Sequence, residues 1–215
     1  MAQSARPVRL ELPRRAQPRR SHAARRAETR AKILAAVVDS IAELGFQRST
    51  AQAITARAGV TWGAVQHQFG GKDGLLLAVL EDSFNRFAER LEGIAPGDTT
   101  LDERAVLFVD RAWEHFRSRH FRSTFEILLS YFGREEHAGA GDWRGQMARA
   151  WDGLWSRIFA DASLTRARSL ALQNFTISAL SGLAQTAMLA GPAAKAPKAE
   201  LDLLKETLAR ALRAT

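Results

Sequence analysis

Apolar residues recur at steps of three and four along most of this chain, and no stretch shows the two-residue alternation of a half-buried strand. From Ala27 the steps run through Ile33, Leu34, Val37, Val38, Ile41, Ala42 and Leu44, predicting a helix. Gly45 ends it, with Phe46 placed to fold back as in a glycine-terminated cap. Ser49 or Thr50 caps a short helix over Ala51–Ala58, and Ser49 with Gln52 has capping-box spacing. Gly59-Val60 breaks that helix, Thr61 caps a second short one, Trp62–Phe69, and Gly70-Gly71 breaks again. A longer helix opens at Lys72-Asp73 and buries Leu75, Leu76, Val79, Leu80, Phe84 and Phe87, ending at Ala95-Pro96-Gly97. Further helices are expected at about 101–118, 121–132, 143–161, 165–190 and 199–213, with turn-like stretches at 133–141 and 191–197. The expected fold is all-α, about nine helices, without internal repeats.

Two short helices joined by a glycine-containing turn have the layout that sets the second helix into a DNA major groove. Ile54, Ala58, Val60 and Val65 are the apolar positions that lock the pair together. Gly59 permits the positive φ of a tight turn. Trp62 opens the second helix, and Gln66 and His67 lie on its polar face.

Residues 30–80 resemble the DNA-binding domain of the tetracycline-repressor (TetR) family. The resemblance is carried by Arg30-x-x-Ile33-Leu34-x-Ala36, Gly45-Phe46, Ser49-Thr50, Ile54, Ala58-Gly59-Val60-Thr61-x-Gly63-Ala64-Val65 and Phe69-x-x-Lys72-Asp73-x-Leu75-Leu76. It implies that Thr50 and Lys72 contact phosphates at the N-termini of their helices. Thr61, Trp62, Gly63 and Ala64 would then lie at or near base edges, with His67 on the same face. Arg30, Ser49 and Gln66 complete the expected DNA-contact set. Three positions depart from the family pattern: Gln66 replaces the usual tyrosine, Gln68 a frequent histidine, and Thr55 a small residue. Gln66 retains the ability to bond a phosphate or to read adenine.

Charge sharpens this picture. The 215 residues carry a net +8. Residues 1–30 hold nine arginines against Glu11 and Glu28, which accounts for seven of those charges. Residues 1–24 read as a disordered, arginine-rich arm able to assist DNA binding, with a plain solvated tail or a targeting peptide as alternatives. The expected division is this arm, a DNA-binding head at 25–87, and a helical effector-binding and dimerisation body at 88–215.

The body is rich in aromatics at helical spacing. Most would form core; Trp113, Phe116, Phe125, Trp151, Trp155 and Phe175 are the candidates for lining the effector cavity that the resemblance implies. That lining suits a lipophilic or aromatic effector. Residues 169–194 contain no charge, long enough for a membrane span, but Gln173, Asn174, Thr176, Ser178, Ser181, Gln185 and Thr186 interrupt them. A soluble helix buried on more than one face fits better. Ala171, Ser178, Ala179, Ser181, Gly182 and Ala184 allow close helix approach there. With Leu201, Leu203, Leu204, Leu208 and Leu212 they suit a four-helix interface across a two-fold axis. The resemblance places dimerisation on these last two helices, near 165–190 and 199–213.

Cysteine is absent, which suits a reducing cytoplasm and removes thiol chemistry and cysteine-containing zinc sites. The five histidines lack metal-site spacing, and no nucleophile-elbow or phosphate-loop motif occurs, so no catalytic residue, metal or cofactor is expected. The expected function is a homodimeric transcriptional regulator, a repressor released from a near-palindromic double-stranded DNA operator by a small molecule. Two alternatives are a helical module that recruits a protein partner and, less in keeping with the motifs, an enzyme using the body's cavity.

Overall fold

Capping side chains set many of the helix ends. In the computed structural model, which describes residues 22–97, 99–132, 143–191 and 195–213, the elements are α1 (His22–Leu44), α2 (Ala51–Ala58), α3 (Trp62–Phe69), α4 (Lys72–Arg90), α5 (Leu101–Phe116), α6 (Arg119–Ile127), α7 (Trp143–Ile158), α8 (Arg166–Ala190) and α9 (Lys198–Arg213). A 3₁₀ turn, Phe46–Arg48, follows α1, and a π-helical turn, Leu128–Phe132, extends α6. The all-α expectation holds, with no strand among the described residues. Thr50, Thr61, Ser118 and Thr165 each accept a bond from the third amide beyond them, opening α2, α3, α6 and α8. Thr100 and Glu103 form a reciprocal capping box at α5.

Four expectations need correction. Helix α4 ends at Arg90, short of the expected Ala95-Pro96-Gly97. Helix α1 begins at His22, so residues 22–24 of the expected arm are helical; the arm's other residues, 1–21, lie outside the described residues. Ser49 does not cap α2; its hydroxyl donates 2.9 Å to the Gly45 carbonyl, leaving the cap to Thr50. The helix expected over 121–132 starts at Arg119 and stops at Ile127, and the remaining residues wind more loosely as the π turn. The turn expected at 133–141 lies outside the described residues, as do residues 192–194 of the next.

Two apolar clusters divide the protein, and α4 feeds both. Ile33, Val37 and Ile41 of α1 pack with Ile54, Val65 and the first half of α4, Leu75 to Leu80. The second half of α4 contributes Phe87 to a larger core with Phe108, Trp155, Ile158, Leu180 and Leu208. Ile127 and Tyr131 cross this division. Ile127 ends α6 and Tyr131 lies in the π turn after it, yet both are buried in the first cluster. No helix among the described residues is long and apolar enough to cross a membrane.

Candidate nucleic-acid interface

The turn between α2 and α3 is built on Gly59, which sits at φ 66° and ψ 37°. In this left-handed conformation the chain reverses within two residues, and the Val60 amide returns 3.1 Å to the Thr55 carbonyl. Thr55 tolerates its branched side chain by turning its hydroxyl back on its own helix, 2.9 Å from the Ala51 carbonyl. Arg57 grips Glu43 through two hydrogen bonds and so ties α2 to α1. That bond holds the Glu43 carboxyl below its ordinary range.

This scaffold leaves one side of α3 bare. Ile54 and Val65 are buried beneath the pair, while Thr61, Gly63, Gln66 and His67 are exposed. The steps between Gly63, Gln66 and His67 put them on one face. Trp62 and Ala64 are half-buried beside it. A Cβ on Gly63 would come no closer than 3.7 Å to Thr61 Oγ1, so the interior does not demand glycine there. Its missing side chain flattens the outward surface instead.

Four of the expected DNA-contact residues meet around one hollow. Ser49, Thr50, Trp62 and Lys72 line a depression of about 270 Å³ with Phe46 among its walls. The Lys72 ammonium lies 5.8 Å from the centre of the Phe46 ring and 4.9 Å from that of Tyr131. Gly71 supplies no capping side chain to α4, so first-turn amides stay available beside the lysine, an arrangement suited to a phosphate. Arg30 is placed differently. Its guanidinium stacks 4.8 Å over Phe69 and approaches Glu81 at 3.9 Å, which fastens α1 to the end of α3.

Contacts from α6 hold this head, and the sequence reading missed them. Glu126 Oε2 accepts the Phe46 amide at 2.9 Å, Ser123 Oγ donates 2.9 Å to the Val38 carbonyl, and the Tyr131 hydroxyl donates to Asp73. Gly74 was missed too. A Cβ there would stand 1.8 Å from the Phe69 carbonyl oxygen, so only glycine lets α4 start against the end of α3.

Behind the α6 contacts lies a cavity of about 110 Å³ between α4, α5, α6 and α7. Leu80, Phe84, Phe87, His115, Phe116, Phe121, Leu128 and Trp151 are among its walls. Of the six aromatic candidates, Phe116 and Trp151 line it. Trp113 and Trp155 are buried in the body core, Trp155 Nε1 donating 3.2 Å to Ser169 Oγ. Phe125 stacks on Phe121 with ring centres 6.0 Å apart. Phe175 stands apart, 50% exposed on the outer side of α8, in a groove with Leu203 and Gly182. Aromatic character alone did not distinguish an inward from an outward face. His115, unremarked by sequence, is 5% exposed, and burial above all pushes its imidazole down to about 4, with the nearby Arg90 charge adding to the effect.

Residues 33–79 match the family described as bacterial regulatory proteins, tetR family. HTH-type transcriptional regulator BetI of Escherichia coli O45:K1 (strain S88 / ExPEC) is 30% identical over 162 residues, covering 60% of this chain and 80% of that protein. The fatty acid metabolism regulator protein of Bacillus subtilis (strain 168) is 27% identical over 89 residues, 41% of this chain and 46% of that protein. The chain thus spans about half the length of this relative, and 55% of HTH-type transcriptional regulator CymR of Pseudomonas putida. In fold, the chain is similar to the crystal structure of transcriptional regulator FadR from Bacillus subtilis in complex with stearoyl-CoA. The TM-score is 0.64 at 16% identity, over 86% of this chain and 97% of that one.

Proposed function

Because this chain belongs to the tetR family of bacterial regulatory proteins, a family of DNA-binding transcriptional regulators, we propose that it is a homodimeric, cytoplasmic repressor that a small apolar effector releases from its operator. The observation that carries this reading is the bare face of α3 beside the hollow formed by Ser49, Thr50, Trp62 and Lys72. Residues 25–87 form the reading head and residues 88–215 the body. Gly63, Ala64, Gln66 and His67 meet base edges or sugar in the major groove, with Thr61 and Trp62 at its margin. Thr50 and Lys72 hold the flanking phosphates, and Ser49 supports Thr50. Arg30 acts by fixing α1 on Phe69.

Dimerisation uses α8 and α9. In the single chain, α8 buries Leu172, Thr176, Leu180 and Ala184 and leaves Ala171, Phe175, Ser178 and Gly182 uncovered, an uncharged stripe that a second copy would bury. Two heads so paired read half-sites about one helical turn, roughly 34 Å, apart. The effector occupies the cavity between α4 and α7. The stearoyl-CoA in the Bacillus subtilis structure supports an apolar ligand in a fold of this kind. A ligand that favours a different tilt of α4 changes the separation of the two heads, and a preference of a few kcal/mol suffices.

The test is binding to DNA from the chain's own upstream region against random DNA of equal length, across a salt series. A specific, salt-sensitive complex is expected. Lys72→Ala should weaken it uniformly across sequences and reduce the salt slope by about 0.9. Gln66→Ala should relax base preference at one position. Equal affinity for both DNAs at physiological salt would defeat the proposal.

A further inference from the structure

His115 belongs to two spaces at once. On one side its ring faces the apolar cavity, with ring centres 5.1 Å from Phe87 and 5.8 Å from Phe116. On the other it walls a polar recess of about 380 Å³ with Arg86, Glu89, Arg90, Ser118 and His120. The imidazole is 5% exposed, and no hydrogen-bonding partner for it occurs among the described residues. Its ring nitrogens are not sealed inside the protein, so the unused N–H is open to a ligand in the spaces the ring walls.

The recess leans toward negative charge. Arg86 is held at 2.7 Å by Asp82, but no carboxylate among the described residues pairs with Arg90. Ser118 and His120 bring in the first turn of α6, whose leading amides lack carbonyl partners by helix geometry. Glu89 is the one opposing charge on the wall. The wall's own charges, Arg86 and Arg90 against Glu89, leave a net +1, which suits a single negative charge rather than a polyphosphate.

The geometry points to a small monoanionic effector: an aromatic carboxylate whose ring fills the space bounded by Phe84, Phe87 and Trp151 and whose carboxylate reaches Arg90 past His115. At about 110 Å³ the cavity falls short of the roughly 150 Å³ that holds a benzene ring, so its aromatic walls must give slightly to admit one. His115, neutral because burial pushes it down to about 4, donates its N–H to the carboxylate without adding charge. The inference rests on reading the cavity between α4 and α7 as the effector site.

The test compares three ligands with one ring, phenylacetate, phenylacetamide and phenethylamine, by calorimetry and thermal shift on the full-length protein. Phenylacetate should bind tightest and phenethylamine weakest. Arg90→Met, at an exposed position, should weaken phenylacetate roughly ten- to hundredfold and leave phenylacetamide unchanged. Equal binding of acid and amide, an unaffected Arg90→Met, or no binding of any of the three at about 10 mM overturns the inference. Operator titration of the unliganded protein reports separately on the regulator reading. Intact operator binding with no ring bound sinks the ligand class alone.

Discussion

The carboxylate of Glu126 accepts the backbone N–H of Phe46 at 2.9 Å across 80 residues of sequence. Phe46 opens the short turn that delivers the chain to α2, and Glu126 lies on α6 two residues before cavity-lining Leu128. A single hydrogen bond therefore ties α6, which lines the cavity through Phe121 and Thr124, to the turn that leads into α2 and α3.

Glu126→Ala should leave the Phe46 amide without a partner and cost about 1–3 kcal/mol. Urea denaturation at neutral pH measures this. Glu126→Gln keeps an acceptor oxygen and should cost less. If Glu126→Ala unfolds at the wild-type midpoint, the bond contributes nothing to the head.

Gly74→Ala should destabilise the protein by about 1–3 kcal/mol through collision with the Phe69 carbonyl, although alanine ordinarily gains about 1 kcal/mol over glycine within a helix. Gly153→Ala in α7, where nothing lies within 4 Å of the added Cβ, should show the ordinary gain. Thermal melts of the pair check the contrast, and equal shifts of the same sign would contradict it.

The unfolded chain protonates His115 near the ordinary 6.5, whereas the folded chain does so only near 4. Between those values the unfolded state binds more protons, so stability falls as pH is lowered. By pH 5 the loss from this group is about 2 kcal/mol, with its share complete above about pH 7. His115→Gln should remove that share. Denaturant titrations of both proteins at pH 7 and pH 5 give the difference directly, and parallel losses would refute the assignment.

Phe175 and Leu203 are 50% and 65% exposed. Replacing both with glutamate should halve the mass seen in sedimentation, with little effect on the melting of each chain. Operator affinity should fall roughly hundredfold as bivalent binding is lost. An unchanged mass would exclude this face from the interface.

Helix positions and the helix-turn-helix were legible because their determinants are local. Gly45 and Gly59 mark reversals, Thr61 marks a start, and Ile54 with Val65 marks the inward side. What escaped was carried by partners far apart in sequence. Neither Glu126 nor Tyr131 announces that it will bond Phe46 or Asp73. Ser49 and Thr50 are chemically equivalent candidates for one cap, and only the path after Gly45 decides between them. Phe175 was hard to place for a related reason: beyond Arg168, α8 is uncharged all round, so its periodicity does not say which side faces the core. The cavity depends on how four helices converge, so His115 gave no signal beyond its identity.

Helix α4 carries Lys72 at one end and Arg90 at the other. Eighteen residue steps at about 1.5 Å make a rigid arm roughly 27 Å long. Pivoted near its C-terminal end, such an arm turns a tilt of about 5° into a displacement of more than 2 Å at Lys72. That is close to the whole length of a hydrogen bond. Side-chain adjustments too small to alter the cavity's outline would suffice to pull the lysine out of step with a phosphate.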